Sequence, residues 1–208
     1  EEIIKKDINK IEELRKLENQ KALLNDKQKI GLKYYEQINE RIPREEIEKD
    51  KKIFEKIFIE TAPSESSFEI VGSYRRGAET SGDIDIIITN KNNNKEAYTK
   101  FLDELIKKKI VIEILSRGAL KSLTIATLPD KKDAIARRVD FLYTTPQEYA
   151  FAILYFTGSK EFNTVMRQKA LDQGYSLNEH TLTKMNNKEK GEKLKLDFLT
   201  EESIFEFL

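Results

Sequence analysis

Three aspartates, Asp83, Asp85 and Asp140, are the residues of this chain whose type and spacing best suit chemistry. Asp83 and Asp85 flank Ile84 at the head of an apolar, β-branched run, residues 84–89, which reads as a strand. Successive strand side chains face opposite ways, so the two carboxylates share a face about 7 Å apart. Like charges at that spacing repel unless a cation lies between them. A hard divalent ion such as Mg²⁺ takes carboxylate oxygens and keeps substrate phosphates in its shell. Upstream, Gly72-Ser73-Tyr74-Arg75-Arg76-Gly77 offers what a phosphate needs: small residues, a hydroxyl, backbone N–H groups and an arginine pair. Asp140 lies in a second alternating segment, Arg137-Arg138-Val139-Asp140-Phe141-Leu142-Tyr143, on one face of the strand it predicts.

The order Gly72-Ser73, Arg75-Arg76-Gly77, Ser81-Gly82-Asp83-x-Asp85 resembles the nucleotidyltransferase signature of the family X DNA polymerases, in its beta-like branch. Arg-Arg-aliphatic-Asp at 137–140 and Tyr155-Phe156-Thr157-Gly158-Ser159, followed by Phe162-Asn163 and Met166-Arg167, are similar to further motifs of that family. So are Gln28 to Tyr35 and Arg41-Ile42-Pro43-Arg44, and the resemblance covers nearly the whole chain. It implies an α+β fold: a nucleotidyltransferase palm with a mixed β-sheet, a helical fingers remnant, and an α+β carboxy-terminal subdomain that selects the nucleotide. The implied boundaries are 1–43, 44–146 and 147–208. The implied activity is template-directed addition of deoxynucleotides to a primer 3′-hydroxyl, in short-gap DNA repair synthesis.

The resemblance also assigns roles. Asp83 and Asp85 bind two Mg²⁺ ions, with Mn²⁺ able to substitute, and Asp140 joins the ion that activates the primer hydroxyl. Arg41, Gly72, Ser73, Arg76, Ser81 and Gly82 cradle the triphosphate. Tyr155, Phe156 and Gly158 crowd the ribose, and Asn163 reads the base edge. Lys160, where relatives carry an acidic residue, adds charge near the nucleotide. Lys121, Arg138 and Arg167 meet DNA. Relatives hold a cis peptide at the position of Gly158–Ser159. They also carry an arginine at the position of Leu142, which pairs with the carboxylate matching Asp85 until the enzyme closes. A leucine cannot form that pair, so Asp85 is expected to be without an arginine partner. Two alternatives stay open: a template-independent nucleotidyltransferase, and a catalytically silent DNA-end binding module. The partners implied are primer-template or gapped DNA and deoxynucleoside triphosphates, with no membrane, and a monomer is expected.

Composition narrows the classes. The 208 residues contain no cysteine and one histidine, His180, which removes disulfides, thiol catalysis and His-cluster metal sites, and fits an intracellular, reducing compartment. Lys plus Arg and Asp plus Glu are 37 each, so the chain is formally neutral, which counts against tight non-specific DNA binding. No apolar run approaches the ~20 residues of a membrane span. Lys107-Lys108-Lys109 and the lysines from Lys188 to Lys195 read as solvated faces. No glycine precedes Gly31, so the hairpin glycines of relatives have no counterpart, and no segment resembles their lyase domain.

The supporting elements follow from periodicity. Ile3, Ile4, Ile8, Ile11 and Leu14, then Ile30, Leu32, Tyr35 and Ile38, predict helices, one of them starting at Asn25-Asp26. Ile47, Ile53, Phe54, Ile57 and Phe58 predict a helix over 44–60, and Tyr98, Phe101, Leu102, Leu105 and Ile106 another. Strands are predicted at 68–71, 84–89, 110–115, 120–128 and 137–143, with a break at Pro129-Asp130 and a new segment opening at Pro146.

Overall fold

A computed structural model describes residues 10–128, 133–186, 189–194 and 196–208. The expectations resting on Ile3, Ile4, Ile8, Pro129-Asp130, Lys188 and Lys195 fall outside these residues. Among the described residues four short helices lead in: α1 (Ile11–Leu14), α2 (Leu17–Leu23), α3 (Asp26–Lys33) and α4 (Tyr35–Asn39). Asn25 starts α3 as expected, accepting from the Gln28 N–H while the Gln28 side chain accepts from the Asn25 N–H. Strand β1 (Ile42–Pro43) and the long helix α5 (Arg44–Thr61) follow.

A five-stranded mixed sheet occupies the centre of the chain. It comprises β2 (Ser66–Ile70), β4 (Ile84–Asn90), β5 (Val111–Arg117), β6 (Lys121–Ala126) and β7 (Arg137–Tyr143), in the order β2-β4-β7-β6-β5. Only the β4–β7 pair is parallel. Between β2 and β4 lie a one-turn helix α6 (Gly72–Arg75) and β3 (Thr80–Ser81), which pairs with β1. Helix α7 (Glu96–Lys107) connects β4 to β5.

Strand periodicity decides which residues reach the site. Ile84, Ile86 and Ile88 of β4, with Val139, Phe141 and Tyr143 of β7, enter the core beneath α5 and α7. Phe101 of α7 packs there against Phe54, Phe58, Phe68 and Phe141, at ring-centroid distances of 5.1–6.3 Å. The alternate residues Asp85 and Ile87 therefore face the other way. Ile87 seals a small cluster with Val71, Ala152 and Ile153 of α8 (Tyr149–Thr157), so α8 covers this second face.

A second core joins Phe151 and Leu154 of α8 to Met166 and Ala170 of α9 (Lys160–Asp172) and to Ile204 of α10 (Glu201–Phe207). It is flanked by the three-stranded sheet β8 (Tyr175–Leu177), β9 (Leu182–Asn186) and β10 (Glu189–Lys193). Among the described residues no helix is long and apolar enough to cross a membrane.

Candidate active site

The parallel ladder sets Asp85 directly opposite Asp140. Because β7 alternates, Arg138, Asp140 and Leu142 share the face away from the helix-backed core. Asp83 stands just before β4. Asp85 is largely buried, and burial is the chief cause that pushes its carboxyl up to about 7; the charges of Asp83 and Asp140 add to it, while Arg138 and Lys121 oppose it. Burial also raises Asp140, against the opposing charge of Arg138.

Arg138 supplies the nearest countercharge. Its Nη2 donates to Asp140 Oδ2 at 3.0 Å and lies 3.9 Å from Asp83 Oδ2. Asp85 forms no ion pair among the described residues, and Arg138 acts on it as a nearby charge. Asp140 Oδ1 is buried and has no hydrogen-bond partner among the described residues. A buried carboxylate oxygen left without a donor calls for a cation or a proton.

Among the described residues no three His, Cys, Asp or Glu side chains close into a ready-made metal cage. The donor set nevertheless suits Mg²⁺ or Mn²⁺. It is all oxygen, one oxygen is an orphan, and burial together with mutual repulsion disfavours the ionised state. Mg²⁺ in particular is usually held by one or two carboxylates, the remaining positions going to water and phosphate.

A cleft of about 920 Å³ opens in front of Asp83 and Asp85, ample for a nucleotide-sized ligand. Of the residues singled out from the sequence, Arg41, Gly72, Ser73, Arg76, Gly82, Tyr155, Phe156, Gly158, Lys160, Asn163 and Arg167 also line it. Ser81, Lys121, Arg138 and Asp140 are not among its lining residues. Ser81 is buried and accepts the Ser73 hydroxyl hydrogen bond at 2.8 Å. Lys121 lies 6.0 Å from the Phe156 ring centroid.

Backbone shape brings these groups close. Gly72 has φ +64°, and a Cβ there would sit 3.0 Å from Asp85 Oδ2. A Cβ at Gly82 would lie 3.4 Å from Arg41 Nη1, and one at Gly158 3.3 Å from Arg76 Nη1. Arg41 is tied to Thr80 by Nε to Oγ1 (3.1 Å) and Nη2 to the carbonyl (2.6 Å). Arg76 Nη1 donates to the Thr157 carbonyl at 2.6 Å. The peptide Gly158–Ser159 is cis, as expected.

Asn163 Nδ2 donates to the Tyr155 carbonyl at 2.7 Å, and the Arg167 guanidinium lies 5.9 Å from the Tyr155 ring centroid. Ser159, named in the motif but given no role, also lines the cleft, with Glu161, Thr164, Gln168 and Leu171, which were not singled out from the sequence. Helical spacing from Lys160 and Arg167 held the signal for Thr164 and Leu171, since positions 160, 164, 167 and 171 fall on one helix face.

A family model described as DNA polymerase beta palm matches residues 41–146, and one described as DNA polymerase beta thumb matches residues 152–208. A DNA polymerase lambda of Arabidopsis thaliana is 30% identical over 212 residues, which cover 94% of this chain and 39% of that protein. A DNA polymerase lambda of Rattus norvegicus is 33% identical over 171 residues, covering 78% and 29% respectively. A DNA nucleotidylexotransferase of Xenopus laevis is 26% identical over 232 residues, covering 89% and 46%. The chain thus spans less than half the length of these relatives.

Proposed function

Starting from a chain that belongs to the family X DNA polymerases, we propose that it adds deoxynucleotides to a primer 3′-hydroxyl under the direction of a template strand, in short-gap repair synthesis. The observation that carries this reading is the rung pairing Asp85 with Asp140, with Asp83 beside it and an orphaned oxygen on Asp140. We also propose that the chain works as a monomer of three parts, 1–43, 44–146 and 147–208.

Asp83, Asp85 and Asp140 would hold divalent cations, Mg²⁺ with Mn²⁺ able to substitute, and such ions supply Lewis acidity toward the primer hydroxyl and charge neutralisation at the triphosphate. Arg41, Ser73 and Arg76 take the phosphates. A guanidinium has five N–H donors, so Arg76 keeps donors for phosphate while Nη1 holds Thr157. Gly72 leaves room for the Asp85 carboxylate, and Gly82 leaves room for Arg41. Tyr155 and Phe156, packed edge to face at 5.1 Å, form the wall for the sugar together with Gly158. Asn163 and Arg167 face the base pair from α9. Lys121 and Arg138 lie on the side where the primer end and template approach.

Extension of a primer across a one-nucleotide gap, with the templating base varied, tests the reading. Incorporation should follow the templating base in Mg²⁺ and disappear in Asp140→Ala. Addition that ignores the template, or needs none, would replace this reading with a terminal transferase, the activity in the name of the Xenopus relative. DNA binding without incorporation would replace it with a silent end-binding module.

A further inference from the structure

Behind the cleft wall, one arginine gathers four elements. Arg75, at the end of α6, donates through Nε to Glu69 Oε1 of β2 at 2.6 Å. Its Nη1 and Nη2 donate to the two carboxylate oxygens of Glu201, at the start of α10, at 3.0 and 2.6 Å. Nη1 also donates to Thr157 Oγ1 at 2.8 Å. The second oxygen of Glu69 accepts from the Tyr149 hydroxyl at 3.2 Å, at the first residue of α8. Burial and the Glu69 charge hold that phenol well above its ordinary pKa, so the hydroxyl keeps its proton and remains a donor.

Thr157 is therefore gripped twice. Its hydroxyl accepts from Arg75 and its carbonyl from Arg76. It is the last residue of α8, and the next two, Gly158 and Ser159, line the cleft. Ser159 in turn caps α9: its Oγ accepts from the Phe162 N–H at 3.3 Å and its carbonyl from the Asn163 N–H at 2.9 Å. Whatever fixes Thr157 thus also fixes the start of the helix bearing Lys160, Asn163 and Arg167. Paired carboxylates and a two-pronged guanidinium hold direction as well as distance, because Arg75 bonds Glu201 through two nitrogens at once.

We infer that Glu69 and Arg75 are positioning residues for the nucleotide: through Thr157 they set where the Gly158–Ser159 turn stands, and with it triphosphate affinity and the choice of sugar. The sugar-selecting part rests on the polymerase reading above; the positioning of the turn does not.

The test uses the whole chain with Thr157→Val, which removes the acceptor, Thr157→Ser, which keeps it, and Glu69→Gln. Two quantities are read: hydrogen exchange at the Phe162 and Asn163 amides without ligand, and the dissociation constants of a deoxynucleoside and a ribonucleoside triphosphate on gapped DNA in Mg²⁺. In Thr157→Val and Glu69→Gln, exchange at both amides should quicken about five- to tenfold, the size of one typical lost hydrogen bond. Deoxynucleotide affinity should fall by a similar factor, and the ribo-to-deoxy ratio should narrow. Thr157→Ser should recover most of each effect. Exchange and affinity within twofold of the parent in Thr157→Val would overturn the inference. Equal losses in the Val and Ser variants would also overturn it, since the effect would then not follow the hydroxyl that Ser keeps and Val lacks. A parent that binds no nucleotide would defeat the polymerase reading, while amide exchange would still decide whether Arg75 and Glu69 position the turn.

Discussion

Replacing Asp85 with asparagine is expected to make the metal-free protein more stable while abolishing incorporation. The Asp85 carboxyl is pushed up to about 7 from an ordinary 3.8, roughly three units, and each unit is worth about 1.4 kcal/mol. A carboxyl raised in the native state binds its proton more tightly there than in the unfolded chain. Its contribution is therefore fully present below about pH 4 and is lost as pH rises toward 7. Above pH 7 the ionised group costs the fold up to ~4 kcal/mol. Asparagine keeps the shape and removes the charge, but its amide needs partners in a site built for anions. A net gain of about 1–3 kcal/mol at pH 8 is the expected remainder, or about 2–4 °C in Tm per kcal/mol for a chain of this size. Urea denaturation in chelator at pH 5, 6, 7 and 8 measures it, and the gain should shrink toward pH 5. Added Mg²⁺ should stabilise the parent and do little for the variant. A variant no more stable than the parent at pH 8, or a gain independent of pH, would refute the argument from burial and repulsion.

Three further substitutions probe the cleft. Gly72→Ala puts a side chain at φ +64° with its Cβ 3.0 Å from Asp85 Oδ2, so we expect about 1–2 kcal/mol lost by thermal denaturation. Incorporation in that variant should fall about 100-fold through the displaced carboxylate, as single-turnover kinetics would show. Arg167→Ala should lower both insertion efficiency and the ratio of right to wrong nucleotide, and an unchanged ratio in steady-state insertion would count against its place at the base pair. Lys160→Asp should weaken nucleotide affinity by no more than about 1 kcal/mol, the range of exposed charges; a rise in affinity on titration would mean that Lys160 does not face the triphosphate.

Much of the sheet was legible because its signals are local. The β-branched run at 84–89 and the alternation at 137–143 became β4 and β7 with little change in bounds. Phe54, Phe58 and Phe101 announced α5 and α7 by helical spacing, and all three are buried. The one-turn helix Gly72–Arg75 and the two-residue strands of the β1–β3 pair carry no periodic signal, each being only about one period of its pattern long. The motif brought Asp83, Asp85 and Asp140 to notice, but no local rule gives the register that sets Asp85 against Asp140. Arg138 could be placed near Asp140 from its strand spacing, whereas its approach to Asp83 depends on the β4–β7 pairing. The Arg75 network was hidden for the same reason: Glu69, Thr157 and Glu201 meet only once four elements have docked.

The parallel β4–β7 pair has a kinetic consequence. Its two strands are separated in sequence by α7, β5 and β6, so this contact has the long loop closure typical of slow-forming parallel pairings. A slip of one residue would turn Asp140 toward the helix-backed core and Val139 or Phe141 toward solvent. The hydrophobic face of β7 thus enforces the alignment on which the carboxylate pair depends. During refolding, metal-dependent stabilisation should consequently appear only with the last cooperative phase, when the central rung has closed, and not with early helix formation.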